Sequence, residues 1–249
     1  MTELVHLSID DAVATITLDS EHNRNALSRQ LVEELGGHLT TAETDSTVRA
    51  VVVRSAHRVF CSGADLSEAS SGGMEQGARA IVALQRTIAT MGTPVVVELG
   101  GPVRAGGLGI VGAADVVVAA ESVSFALTEV RLALAPAVIS LTLLERFTDR
   151  AAADLFLTGR TFDAAEAAAA GLVTRTVPDD ALADEVSAVV AELVQGYPQG
   201  LRETKRLLNH DLVARIDALG ERVAAQSAEL FGSEEAREAM TAFLQRRKS

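Results

Sequence analysis

Polar and apolar positions alternate near the N-terminus, over Val5 to Ile9 and again over Ala12 to Leu18, with Asp10-Asp11 between the two runs. Alternation rich in β-branched residues, broken by a polar pair, predicts a β-hairpin. The period then changes. Ser28 precedes Leu31, Leu35 and Leu39, which is helical spacing behind a capping residue. Ala50 to Val53 is a short continuous apolar run and predicts a buried strand. Residues 74–90 place Ile81, Leu84 and Ile88 on one helical face, and Pro94 to Val97 and Val116 to Ala119 are strand-like again. Strands alternating with helices predict an α/β domain around a largely parallel sheet.

Beyond about residue 139 the helical period dominates. Asp163 and Glu166 have the spacing of a capping box, with Gly171 suited to the C′ position of that helix. Leu212, Ile216, Leu219, Val223 and Leu230 form one stripe, and Ser233-Glu234-Glu235 open a last helix with acids at its positive end. The pattern divides into an α/β core over residues 1–190 and a C-terminal helical region over 191–249, together one structural unit.

Composition narrows the function. Hydrophobic residues make up 48% of the 249, enough for a sizeable core, but aromatics are only 3% and Trp is absent. Base-stacking platforms for single-stranded nucleic acid use several aromatics, so that role has little support. A net charge of −12 repels polyanions and anionic membranes. It does not exclude a small polyanion held by a local cluster of Arg or Lys, because charge is screened beyond roughly 8–10 Å. One cysteine, Cys61, permits no internal disulfide. The acidic N-terminus does not read as a signal peptide, and no apolar run approaches about 20 residues, so a cytoplasmic protein without membrane spans is expected.

Two glycine-rich segments stand apart from the patterning: Phe60-Cys61-Ser62-Gly63-Ala64-Asp65-Leu66, and Gly100 to Gly109 with the run Gly106-Gly107-Leu108-Gly109. Both follow strands, where open α/β sheets usually place ligands. If residues 106–114 are helical, the N–H of Gly106 is an unpaired donor at the positive helix end, and a second donor at Ala64 completes an oxyanion hole. Ordinary close-packed turns are the competing reading. Neither segment matches a dinucleotide or phosphate-loop fingerprint.

Taken in order, Asn23-Arg24-Asn25-Ala26-Leu27, Ser62 to Leu66, Ala105-Gly106-Gly107, Phe125 to Glu129, Leu157-Thr158-Gly159 and Ala170 to Val173 resemble the successive motifs of the enoyl-CoA hydratase/isomerase (crotonase) superfamily. The resemblance implies a spiral of ββα units with a C-terminal helical region that makes trimer contacts, commonly as a dimer of trimers. It implies backbone donors at Ala64 and Gly106. A path for coenzyme A would be lined by Asn23, Arg24, Asn25, Ala26, Leu27, Ala64, Asp65, Leu66 and Gly107. Phe243 and the tail Arg246-Arg247-Lys248 resemble an element that closes over coenzyme A, although a solvated basic helix end is an equal reading. No metal or separate cofactor is implied: the acyl-CoA thioester is the substrate.

Hydratases with paired acids carry two glutamates. The second falls on Glu129, whereas the first falls on Gly109, which cannot transfer a proton. Adding water across a conjugated double bond needs a base for water and an acid for Cα. A lone Glu129 could do both in one step, or move a proton between carbons as an isomerase does. Gly109 together with Val130-Arg131-Leu132 and Ala135 to Ser140 is similar to the methylglutaconyl-CoA hydratase-like branch, whose branched substrates carry a distal carboxylate. Arg104 or Arg131 could pair with it, or each could be a surface or structural arginine. An increase in crotonyl-CoA hydration on changing Gly109→Glu would support the one-glutamate reading of the site.

The five histidines show no metal spacing, Cys61 reads as a small buried side chain, and Ser62 lacks His and Asp partners for a nucleophile role. Three functions remain: hydratase, isomerase, and an acyl-CoA-binding protein without catalysis. The intact Glu129 weighs against the last.

Overall fold

The computed structural model describes residues 2–68 and 73–246. Strands β1 (Val5–Asp10) and β2 (Val13–Leu18) form the expected antiparallel hairpin, in register from Val5 opposite Leu18 to Asp10 opposite Val13. Its two-residue turn is Asp11-Ala12, one position later than the Asp10-Asp11 break. Both turn residues have positive φ, 42° and 70°, the handedness that suits strand twist. Ser28 caps α1 (Arg29–Thr44) by accepting from Leu31 N–H, and Leu31, Leu35 and Leu39 are buried. Such a cap is worth about 1 kcal/mol.

β3 (Ala50–Ser55) then lies parallel to β2, and α2 (Met74–Thr90) returns the chain to β4 (Val95–Leu99), parallel to β3. β5 (Val103–Arg104), α3 (Gly107–Ala113), β6 (Val116–Ala120) and β7 (Ser124–Ala126) follow, with β6 parallel to β4. Each turn of the chain thus gives one strand to a main sheet and one short segment to a second layer. That second layer joins β5 to β7, and the single bridges Cys61–Val103 and Leu27–Ala64 extend it. This is the expected spiral of ββα units.

Two strands lie in the region where helical signals dominate the sequence. After α4 (Ser140–Leu143) and α5 (Asp149–Thr158), β8 (Thr161–Asp163) pairs with β7. After α6 (Ala164–Ala169), β9 (Arg175–Val177) completes the main sheet, ordered β1-β2-β3-β4-β6-β9. Three-residue strands are too short to show a period, so long-range pairing alone defines them. Asp163 caps α6 through Glu166 N–H as predicted. The Glu166 carboxylate does not reach back to complete the box and pairs with Arg160 instead. Gly171, at φ 96°, ends that turn where a Cβ would stand 2.4 Å from Arg146 O.

The remaining helices are α7 (Leu182–Val194), α8 (Pro198–Leu208), α9 (His210–Gly232) and α10 (Glu234–Arg246). The division drawn at residues 190/191 falls inside α7, which packs on the main sheet at β3, β4 and β6. α9 lies along α2, burying Leu212, Ile216 and Val223 of the predicted stripe. α10 packs beside the short 3-10 turn Thr128–Leu132. No helix among the described residues is long and apolar enough to cross a membrane.

Candidate active site

The two glycine-rich segments meet at one place. Leu27 N–H donates to Gly63 O, Arg104 N–H to Cys61 O, and Ala105 N–H to Ala126 O, which ties three successive turns of the spiral edge to edge. Gly63 has φ 97° and Ala105 φ 47°; a non-glycine residue in that region costs roughly 1 kcal/mol or more. The turn brings two backbone amides close together. A Cβ on Gly106 would stand 3.5 Å from Ala64 N, and one on Gly63 would stand 3.5 Å from Gly106 N. Gly106 is the N-cap of α3, and neither its N–H nor that of Ala64 donates to an acceptor among the described residues. The geometry is that of two adjacent free donors at a positive helix end.

Both residues border a cleft of about 1680 Å³. Asn23, Arg24, Ala26, Leu27, Asp65, Leu66 and Phe243 border it too, so most of the residues assigned to coenzyme A from the motifs share one surface. Burial opposes ionisation of Asp65, but hydrogen bonds from Ser67 and Asn23 outweigh it and hold its pKa below the usual carboxylate value. Of the basic tail, Arg247 and Lys248 lie outside the described residues.

Two of those assigned residues do not reach the cleft. Asn25 is 0% exposed, and its amide accepts from Ser20 N–H and donates to Ser55 Oγ, Val59 O and Phe60 O. It shapes the loop from inside, holding Arg24 and itself at positive φ, a conformation asparagine tolerates better than most. Gly107 is buried under Cys61, where a Cβ would stand 2.7 Å from Cys61 Cβ. Close packing accounts for that glycine. Cys61 is itself fully buried and its thiol is pushed up to about 12, while the Ser62 hydroxyl is spent on Asn23 O.

Glu129 is the second residue of the 3-10 turn after β7 and also borders the cleft. The residue is partly exposed, yet its Oε2 atom is fully buried and has no hydrogen-bond partner among the described residues. Burial raises its pKa to about 7, against a small opposing effect from its own backbone N–H. A carboxyl at that value exchanges protons readily near neutral pH. At the position of a first acid the packing is tight: a Cβ on Gly109 would meet Ile139 Cγ2 at 3.0 Å and Gln85 Cδ at 3.1 Å.

The two arginines differ. Arg104 donates to Val103 O, Ser124 O and Ser124 Oγ, so its fork braces the second layer, and burial lowers its pKa. Arg131 is exposed at the cleft with no ion pair among the described residues. Sequence reasoning missed Ile81 of α2 and Phe231 of α9, which also line the cleft. Helical periodicity assigns Ile81 to a packed face and does not single out Phe231, and only the docking of the C-terminal helices makes them walls.

A family model described as enoyl-CoA hydratase/isomerase matches residues 8–249, and the chain belongs to that family. A crystal structure of an enoyl-CoA hydratase from Mycobacterium avium is 44% identical, with a TM-score of 0.92 over 99% of this chain and 98% of that one. A Mycobacterium tuberculosis protein named "Probable enoyl-CoA hydratase echA8" is 31% identical over 98% of this chain and 96% of its own length. The 2,3-dehydroadipyl-CoA hydratase of Escherichia coli K12 is 28% identical over 99% of this chain and 97% of its own.

Proposed function

We propose that the protein hydrates 2-enoyl-CoA thioesters, with Glu129 as its proton-transfer group. The observation that carries this reading is the Glu129 carboxyl, with a pKa raised to about 7 and Oε2 buried, on the same cleft as the N–H groups of Ala64 and Gly106, all three without a hydrogen-bond partner among the described residues. In the forward direction the Glu129 carboxylate takes a proton from water as the water oxygen bonds to Cβ. The electron pair of the double bond moves to the thioester oxygen, which the two N–H groups hold. Glu129 then returns the proton to Cα and the enolate collapses to the 3-hydroxyacyl thioester. Each oxyanion donor contributes about 3–4 kcal/mol to the transition state.

One carboxyl serves both transfers because Gly109 has no side chain and Gln85 and Ile139 fill its surroundings. The same single carboxyl favours a second reading, in which Glu129 takes a proton from Cα of a 3-enoyl thioester and returns it at Cγ. Loss of enoyl absorbance with crotonyl-CoA supports hydration; gain of absorbance with a 3-enoyl-CoA and no water addition supports isomerisation. Tight binding with neither signal, branched substrates included, would favour a non-catalytic role.

Within hydration, the acyl group is a branched one ending in a carboxylate, such as 3-methylglutaconyl-CoA. Support for the terminal carboxylate comes from Arg131, a guanidinium on the cleft with no ion pair among the described residues, and from the E. coli relative named for an adipyl-derived thioester. Arg104 is less suited, its donors being engaged by backbone. Asn23, Arg24, Ala26, Leu27, Ala64, Asp65, Leu66 and Phe243 line the coenzyme A path. Assembly is a trimer or dimer of trimers, supported by the exposed Leu207 and Leu208 of α8 and testable by light scattering.

A further inference from the structure

Two polar side chains beside the cleft are fully buried and unused by the chemistry above: Gln85 of α2 and Thr142 of α4. Thr142 Oγ1 donates to Gln85 Oε1 at 2.9 Å and lies 3.3 Å from Ile139 O. Gln85 Nε2 donates to Val138 O and to Ile81 O, both at 3.3 Å. Burying an amide and a hydroxyl is unfavourable unless both are bonded, and two apolar residues of similar shape would fill the space without that requirement. What the polar pair adds is direction.

The pair touches two parts of the site, one through hydrogen bonds and one through packing. On one side are Val138 and Ile139, which line the cleft. On the other is α3: a Cβ on Gly109 would stand 3.1 Å from Gln85 Cδ, and one on Gly112 would stand 2.7 Å from Thr142 Oγ1. The pair therefore rests directly on the backbone of the helix that Gly106 caps, and is hydrogen-bonded to the opposite wall.

We propose that Gln85 and Thr142 form a positioning key that sets the spacing between α3, with its donor at Gly106, and the acyl-cleft wall at Val138-Ile139, and so selects which acyl chains reach the donors in reactive alignment. This rests on the acyl-CoA reading above. Neither residue touches the substrate; both act through the backbone they hold.

The test uses Gln85→Leu, Thr142→Val and the double variant, with Gln85→Met as a second variant that keeps length and shape but removes the amide. Thr142→Val strands the buried Gln85 Oε1, whereas the double change removes both side-chain partners and is expected to melt closer to wild type than Thr142→Val alone. The key predicts that the double variant and Gln85→Met, although folded, change the kcat/KM ratio between methyl-branched and straight-chain 2-enoyl-CoAs by about tenfold or more. It also predicts a smaller red shift of a bound cinnamoyl-CoA thioester, whose absorbance reports polarisation of the carbonyl. A wild-type ratio and a wild-type red shift in both variants would overturn it, leaving ordinary packing. If wild type hydrates no enoyl-CoA, the proposed reaction fails on its own. The red shift then still decides the key, because it needs binding and no turnover.

Discussion

Gly109 faces Ile139 so closely that a Cβ on the glycine would stand 3.0 Å from the Ile139 Cγ2 atom. The sequence alone suggests that a glutamate at 109 would add a second acid. The packing gives a different expectation. Gly109→Glu must displace Ile139 and the hydrogen-bonded Gln85, and overpacking of this kind costs typically 1–3 kcal/mol, with more for a buried charge. The single variant is expected to lose thermal stability and gain no hydration of crotonyl-CoA. A gain in turnover at unchanged melting temperature would show that the wall yields.

Glu129→Gln removes the proton-transfer group while keeping the shape of the side chain. Turnover is expected to fall by about 10²–10⁴-fold, with acyl-CoA affinity changed little. Calorimetric binding alongside an absorbance assay checks both halves, and retained turnover would assign the proton to another group.

The raised pKa of Glu129 also has a sign for stability. Its folded value of about 7 lies above the ordinary 4.5. Between those values the folded protein holds a proton that the unfolded chain has released, so the contribution to stability falls as pH rises through that window. Glu129→Gln is therefore expected to be more stable than wild type at pH about 8, by about 2–3 kcal/mol, and to lose most of that advantage near pH about 5. Denaturant midpoints at the two pH values test this. Hydration by wild type runs the other way, since kcat/KM should rise through pH about 7 as the carboxylate forms.

Asn25 distinguishes a residue that binds ligand from one that shapes the binding loop. Asn25→Ala strands several buried partners and is expected to cost about 2–4 kcal/mol of stability. Coenzyme A affinity should fall only as the loop loosens, whereas Arg24→Ala is expected to weaken coenzyme A binding and leave the melting temperature near wild type. Equal stability of the two variants would contradict this division.

Arg131→Ala is expected to reduce kcat/KM for a thioester ending in a carboxylate by about tenfold or more, and for crotonyl-CoA by much less. Equal effects on both substrates would remove Arg131 from acyl recognition.

The sequence by itself determined the features that are local or carried by motif. The hairpin, the Ser28 cap and the α1 and α2 faces follow from period and capping chemistry, which act within a few residues. The paired glycine-rich segments and the mismatch between Glu129 and Gly109 were legible as residue types in a fixed order. Tertiary structure alone decided the rest, because the causes are non-local. β8 and β9 are strands only through partners far along the chain. Asn25, beside Arg24 in sequence, points inward because Ser20, Ser55 and the carbonyls near residue 60 surround it. The Glu129 carboxyl is a near-neutral acid because the folded chain takes water away from Oε2. Gln85 looks like one polar position on a helix until Thr142, Gly109 and Val138 close around it.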